Sequence, residues 1–147
     1  MNPLQRGYTL IETLISLSIF SLLLTLPILF LHDFRKPYEV DYLAHQFKED
    51  ILLAQHIAMT HGRTTYIKVD LLSNDYVIRF SANDEYFKRP IINKIMQFSA
   101  VSMGVNDISF NPNGNPRKSG TIQVKIHDRV FHYTIYLGRG RVYYREV

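Results

Sequence analysis

The sequence contains no cysteine among its 147 residues. This absence excludes disulfides, thiol chemistry and cysteine-ligated metal sites, so any part held outside the cytoplasm must be stable without cross-links. Internal repeats and low-complexity tracts are also absent. With 46% hydrophobic residues, the chain has the composition of a folded protein and not of a disordered one.

Motifs of common enzyme classes are missing as well. The sequence has no HExxH, no GxSxG and no phosphate-cradling glycine loop. His56 and His61 are five residues apart, which does not place them on one helical face as an i, i+4 metal pair would be. His127 and His132 flank a turn, where exposed strand positions are the default. We assign no catalytic residue, no metal ligand and no cofactor, and predict that the protein is not an enzyme.

The formal charge of +4 is unevenly distributed along the chain. Residues 32–110 carry 9 Lys/Arg and 10 Asp/Glu, a net of −1, whereas residues 111–147 carry 7 and 2, a net of +5. This asymmetry predicts a basic C-terminal surface, which suits a polyanionic partner but also fits a merely solvated face.

One apolar stretch near the start dominates the sequence. The 24 residues from 8 to 31 contain Glu12 as the one formally charged side chain. As a helix with a rise of about 1.5 Å per residue, the stretch would be roughly 36 Å long, enough to cross a bilayer. No small-x-small cleavage site follows it, which favours a retained anchor over a signal peptide. Arg6 on one side and Arg35-Lys36 on the other leave the orientation undecided by charge alone.

The rest of the chain divides into a helical part and a β-rich part. Pro37 predicts a bend or break after the apolar stretch, followed by an amphipathic helix over 32–62 that Gly62 would cap. Its apolar stripe consists of Leu43, Phe47, Ile51, Ala54 and Ala58.

Period-two alternation then predicts strands over 63–147. We expect a hairpin from 64–70 and 76–81, short strands at 90–92, 96–101 and 107–110, and longer strands at 120–127, 131–137 and 142–145. We expect Gly138-Arg139-Gly140-Arg141 to form a turn before the last strand. The pattern leaves open whether the strands form one sheet or two.

The first twelve residues carry a specific motif. A short basic leader ends in Gly7 and is followed by Tyr8-Thr9-Leu10-Ile11-Glu12 and the apolar run. This stretch resembles the class III signal of type IV pilins and pseudopilins, whose usual form is Gly followed by Phe-Thr-Leu-Ile-Glu. Tyr8 in place of phenylalanine keeps an aromatic residue. The resemblance implies an α+β pilin fold, in which a long N-terminal helix, half transmembrane and half amphipathic, packs on a C-terminal antiparallel β-sheet domain.

The same resemblance implies how the chain is processed and where it acts. A prepilin peptidase would cut between Gly7 and Tyr8 and methylate the new amine of Tyr8. Residues 1–7 would be the leader and 8–31 a single membrane pass with a cytoplasmic N-terminus before assembly into a pilus at the cell surface. Glu12 would pair with the N-terminal amine of a neighbouring subunit. The implied partners are other major and minor pilins and, indirectly, the assembly ATPase and the membrane platform protein.

The remainder of the chain is similar to minor pilins of the GspH/FimT class, in particular those of competence pili in Gram-positive bacteria. Gly138-Arg139-Gly140-Arg141 matches the GRxR element associated with DNA binding in FimT-like pilins, although such a turn is also common there as plain structure. The basic residues that would contact DNA are Arg139, Arg141, Arg117, Lys118, Lys125, Arg129 and Arg145. Tyr133, Tyr136, Tyr143 and Tyr144 would either stack on bases or fill the sheet. A structural pilin without DNA contact and a pseudopilin of type II secretion remain open alternatives.

Overall fold

The computed structural model describes residues 9–70, 72–91, 95–138 and 141–147, with side chains described outside 26–37. The chain divides into an N-terminal unit, Met1–Glu39, and a head unit, Val40–Val147. Gly7, Tyr8 and Arg139, three of the predicted site residues, lie outside the described residues.

Helix α1 extends over Leu10–His61. The helix continues through Pro27 and Pro37, so the break predicted near Pro37 is not present. A proline removes one backbone hydrogen bond, and the residue before it is biased away from the helix without being barred from it. The helix ends before Gly62, which has the left-handed φ of +61° that favours glycine at this position.

The part of α1 in the head unit buries one face. Of the predicted stripe, Phe47, Ile51, Ala54 and Ala58 are fully buried, while Leu43 is only partly buried. The buried face contains three more residues, Val40, Ala44 and Ile57. Val40 precedes the predicted stripe, and the other two are each next to one of its members in the sequence. The stripe is therefore confirmed, and it is wider than the spacing alone predicts.

Eight strands follow in the described part of the head unit. Their bounds are β1 Thr65–Asp70, β2 Asp75–Ser81, β3 Asp84–Pro90, β4 Met96–Ala100, β5 Ser109–Phe110, β6 Gly120–Ile126, β7 Arg129–Ile135 and β8 Val142–Glu146. They form two antiparallel sheets: a first sheet of order β3-β2-β1-β5 and a second sheet of order β4-β6-β7-β8. The question of one sheet or two is thus answered in favour of two.

The predicted strands differ from the observed ones around residues 84–110. Strand β3 was not predicted because its sequence, DEYFKRP, lacks an alternating apolar pattern. It lies at the edge of the first sheet, where Pro90 needs no ladder partner for its nitrogen. Of the strand expected at 90–92, Pro90 is the last residue of β3, Ile91 is not in a strand, and Ile92 lies outside the described residues. The strand expected at 107–110 is confirmed over Ser109–Phe110, which form β5, whereas Asp107 is the last residue of a 3₁₀ turn, Val105–Asp107.

Phe47 lies where α1 meets both sheets. Its ring makes edge contacts with Tyr76 of β2, Phe98 of β4 and Tyr133 of β7, at centroid distances of 5.4, 5.2 and 5.1 Å. Such edge-to-face pairs stabilise a core by about 0.5–1.5 kcal/mol beyond their buried area. The helix therefore holds the two sheets in one hydrophobic core, with the opposite face of each sheet left for solvent or a partner.

Candidate assembly and nucleic-acid interfaces

The start of α1 forms a capping box around the predicted assembly residue Glu12. The Thr9 backbone N–H and hydroxyl both donate to Glu12 Oε2, at 3.1 and 3.0 Å. In return, the Glu12 backbone N–H donates to Thr9 Oγ1 at 3.3 Å. Two helix-end donors are satisfied in this way. The Thr-x-x-Glu pattern of this box is present in the sequence but was not used to predict it. The structure shows that Glu12 has polar partners within its own chain.

The following helix surface is apolar and uncovered within its own unit. All residues from 9 to 25 are exposed, and they include large apolar side chains on every side of the helix, for example Leu10, Ile15, Phe20 and Leu24. Within the described residues, no helical segment combines the length and the apolar character needed to cross a membrane. The predicted span over 8–31 includes Tyr8 and the side chains of 26–31, which lie outside the described part.

The described members of the predicted DNA-binding set do not form one surface. Arg117 and Lys118 line a recess beside the first sheet together with Tyr66, Lys68 and Asp107. Arg117 Nη1 donates to the Tyr66 hydroxyl at 3.1 Å, and Lys118 Nζ lies 3.0 Å from Asp107 Oδ2. The hydrogen bond from Lys118 lowers the pKa of the Asp107 carboxyl. The charge of Lys118 is therefore already matched by a carboxylate.

Arg129 is the most strongly paired of the predicted cations. It donates from Nε and Nη2 to the two carboxylate oxygens of Glu146, both at 2.6 Å, and its Nη1 lies 2.8 Å from Asp41 Oδ1. The bond to Glu146 raises the pKa of the Arg129 guanidinium and lowers the pKa of Glu146. A guanidinium held by two carboxylates has little positive potential left for a phosphate, which argues against Arg129 as a DNA contact.

Three further cations of the predicted DNA-binding set are described, namely Lys125, Arg141 and Arg145. No carboxylate of the described part of the chain forms an ion pair with any of them. Lys125 and Arg145 point away from the core on the second sheet, because their strand neighbours Ile126 and Tyr144 face inward. Arg141 lies just before β8 and lines an open groove that α1 borders through Lys48, Leu52 and Gln55.

The four tyrosines divide into two pairs. Tyr133 is fully buried, and its hydroxyl donates to the Ala44 backbone oxygen at 2.7 Å. Tyr144 stacks on Tyr133 at a centroid distance of 5.5 Å and belongs to the core face. Tyr136 and Tyr143 are 53% and 61% exposed. Base stacking can therefore involve the second pair, whereas the first pair fills the sheet.

His61 and His132 have structural environments. The His61 ring contacts the rings of Phe80 and Tyr86, at centroid distances of 5.3 and 5.2 Å. His132 Nε2 lies 3.2 Å from Gln123 Oε1 on the outer face of the second sheet. Among the described residues, no group of His, Asp and Glu is arranged to hold a metal ion.

One partly buried ion pair was not predicted from the sequence. Asp50 of α1 accepts two bonds from Arg89 of β3, from Nε at 2.6 Å and from Nη2 at 2.9 Å, and a further bond from the Tyr76 hydroxyl. The bond to Asp50 raises the pKa of Arg89, and burial together with Asp50 raises the pKa of the Tyr76 phenol. Asp50 lies one position before Ile51 of the buried stripe. A charged residue beside the stripe was the signal in the sequence that could have indicated a buried carboxylate. The network connects the edge strand β3 to α1.

Comparisons with known proteins agree with this architecture. Residues 2–26 match the family described as the prokaryotic N-terminal methylation motif. The solved structure of the minor pseudopilin EpsH from the Type 2 Secretion System of Vibrio cholerae is similar, with a TM-score of 0.52 and 12% identity over 73% of this chain and 94% of that one. The motif and the fold together define the class of type IV pilins and pseudopilins, with the α+β pilin fold.

The sequence likeness to a second protein is more specific. The competence protein ComGD of Bacillus subtilis (strain 168) is 33% identical over 139 residues, which cover 94% of this chain and 92% of that protein. The chain therefore belongs to the ComGD family. Neither relative is described by an enzymatic activity.

Proposed function

We propose that this chain is a minor pilin of a competence type IV pilus that supports the binding and uptake of DNA. The observation that carries the assembly part is the fully exposed apolar surface of α1 from 9 to 25. Exposed apolar patches of this extent mark lipid or protein contacts. Lipid would cover the surface before assembly, with the N-terminus cytoplasmic, and the helices of other pilins would cover it afterwards at the cell surface.

Processing comes first in this scheme. Prepilin peptidase cuts between Gly7 and Tyr8 and methylates the Tyr8 amine, which brings a charged amine to within four residues of Glu12. The capping box with Thr9 holds the Glu12 carboxylate in the first turn of the helix. A carboxylate in an apolar setting is stabilised by a cationic partner, and the amine of a neighbouring subunit provides one. Glu12 then recruits the next subunit.

The DNA part is supported by the ComGD likeness and by the unpaired cations of the head. Lys125, Arg141 and Arg145 have no carboxylate partner among the described residues, so each can contact a phosphate. Arg139 lies two positions before Arg141 in the sequence. A structural pilin without DNA contact is the alternative, as is a pseudopilin of type II secretion, which the EpsH likeness supports through fold alone.

Processing is tested by co-expressing the chain with a prepilin peptidase and measuring its intact mass. We expect the loss of residues 1–7 and the addition of one methyl group. Gly7→Val, which changes the cleavage position and leaves the helix intact, should stay at full length. A wild-type chain of unchanged mass would contradict the pilin assignment.

Assembly is tested by shearing pili from competent cells and measuring the amount of this chain in them. Glu12→Gln keeps the size and removes the charge; it should be processed normally yet be depleted from the sheared pili. Thr13→Val, at the adjacent position, is the matched control and should assemble. Equal incorporation of both variants would reject the pairing role of Glu12. Transformation is then compared between cells with and without this chain. If the chain is processed and assembled but cells that lack it transform as well as the wild type, the purely structural alternative is favoured.

A further inference from the structure

The outer face of the second sheet carries no acidic residue among its described positions. The outward residues of its strands are Gln97, Ser99, Thr121, Gln123, Lys125, Val130, His132, Thr134, Tyr143 and Arg145. The first sheet differs, because its outer face mixes Lys68 and Arg79 with carboxylates such as Asp75 and Glu85. The second sheet therefore presents positive charge without compensation on the same face.

Strand register brings the polar groups of this face into rows. Ser99 pairs with Gln123, Gln123 with His132, and His132 with Arg145, which makes one row across all four strands. In the next row Thr121 pairs with Thr134, and Thr134 with Tyr143. Directly opposed residues on one face have Cβ atoms about 4.5–5.5 Å apart. Hydrogen-bonding groups, a cation and an aromatic ring are thus neighbours.

Between these rows lies a shallow recess of about 310 Å³. It is lined by Val101, Thr121, His132, Thr134, Tyr136, Tyr143 and Arg145. The volume is at the lower end of the range of small-molecule sites, about 300–1,000 Å³, which suits a group of the size of a nucleobase. The Thr121 and Thr134 hydroxyls are 2.9 Å apart, and each retains capacity for another hydrogen bond.

We propose that this recess binds one nucleotide of single-stranded DNA, with the base against Tyr143 and the phosphate at Arg145. Exposed aromatic rings beside cations are the arrangement by which single-stranded nucleic acids are bound without sequence preference. Tyr136 flanks the base, and Lys125 contacts a phosphate further along the strand. Stacking needs an accessible face of the base, which a paired duplex does not offer. The inference rests on the DNA binding proposed above and names its site and the form of DNA.

The test uses the full-length chain in detergent micelles and three fluorescent probes of equal length: oligothymidylate, an abasic strand and a duplex. Tyr143→Ala should weaken oligothymidylate binding on the order of tenfold, since stacking is lost, and should leave abasic binding unchanged. Tyr143→Phe keeps the ring and should bind like the wild type. Arg145→Gln should weaken binding to both single strands and reduce the slope of log affinity against log salt by about 0.7.

Two control variants match these changes elsewhere on the head. Tyr42 is 64% exposed on α1, close to the exposure of Tyr143, and Tyr42→Ala should not change binding. Arg79→Gln removes one charge from the outer face of the first sheet and should change affinity less than twofold. Two results would overturn the proposed binding of a nucleotide in the recess. One is an equal loss of abasic binding in Tyr143→Ala, and the other is a wild-type protein that binds duplex as tightly as single strands. Failure of the wild type to bind any probe would reject the proposed DNA function itself.

Discussion

The stability of the head should depend on the network of Asp50, Arg89 and Tyr76 being complete. The Asp50 side chain is only 5% exposed, whereas Arg89 is 29% exposed. Arg89→Met is the informative change, because it removes the charge and keeps an apolar side chain of similar length. The Arg89 guanidinium lies 4.9 Å from the centroid of the Phe87 ring, and the methionine can still cover this ring. The variant leaves Asp50 buried with the Tyr76 hydroxyl as its remaining donor in the network.

The expected loss in the free energy of unfolding follows from this exposure. Removing one partner of a buried ion pair costs about 3–5 kcal/mol. The partial exposure of Arg89 lets water reach Asp50 after the substitution, so we expect the lower end, about 3 kcal/mol. For a domain of roughly 100 residues, 1 kcal/mol shifts the melting temperature by about 4–8 °C. Arg89→Met should therefore lower it by more than about 10 °C.

A triple variant distinguishes the cost of leaving one charge without its partner from the contribution of the complete network. Asp50→Leu, Arg89→Met and Tyr76→Phe together remove the charges and the hydroxyl that would otherwise lose its acceptor. Replacing a complete buried network by apolar groups is often neutral or stabilising, so the triple variant should recover most of the lost stability. Near-UV circular dichroism in the same micelles follows the melting of the head without reporting on the helix content.

Hydrogen exchange provides a local measurement of the same prediction. Because Arg89 pairs with Tyr76 in the ladder between β2 and β3, the amides of β3 should lose protection in Arg89→Met before those of β6 and β7 do. An unfolding free energy reduced by less than about 1 kcal/mol would refute the reasoning. So would a triple variant no more stable than the single one.

Two further predictions concern the surface and the turns. Arg129 lowers the pKa of Glu146 below its ordinary 4.5, so their bond contributes stability above that pH and loses it as pH falls through the lower, folded pKa. Arg129→Gln should return the Glu146 titration, followed by ¹³C NMR, towards 4.5; an unchanged midpoint would exclude Arg129 as the cause. Gly62 and Gly114 both have positive φ, but a Cβ on Gly114 would lie 2.5 Å from Met59 Sδ, whereas Gly62 faces open space. Gly62→Ala should cost about 1–2 kcal/mol in unfolding free energy because of its positive φ. Gly114→Ala should cost about the same, because the flexible and 45% exposed Met59 side chain can move away from the new Cβ. Denaturant midpoints measure both, and a Gly114→Ala loss exceeding that of Gly62→Ala by more than about 1 kcal/mol would contradict the movement of Met59.

Local sequence patterns predicted most of the fold because the deciding interactions are periodic. The buried stripe of α1 contains Phe47 and Ile51 at helical spacing, and β6 alternates Ile122, Val124 and Ile126. Strand β3 has no such pattern, since it lies at a sheet edge and only a minority of its residues face the core. Its position depends on the ladder with β2 and on Arg89, both of which are contacts distant in sequence.

The sites show the same division between local and distant information. Glu12 and its motif are contiguous, so a short pattern was enough to identify the family. Asp50 and Arg89 are 39 residues apart, and no spacing rule connects a helix carboxylate with a particular edge-strand arginine. The alternation of Phe131, Tyr133 and Ile135 predicts that Tyr133 faces inward, as observed. Strand β8 has two adjacent tyrosines and no comparable alternation, so the exposure of Tyr143 could not be predicted from the sequence.

The distribution of charge in space limits where a polyanion can bind. By sequence, residues 111–147 carry a net charge of +5, and every cation there is a candidate. In the folded head, Asp107 and Asp41, both from outside this segment, pair with Lys118 and Arg129. These carboxylates take two candidates out of the set. Of the described cations that remain, Lys125 and Arg145 share the outer face of the second sheet, which has no acidic residue among its described positions and carries the exposed Tyr143. Arg117 lies in the recess beside the first sheet, and Arg141 lines the groove beside α1.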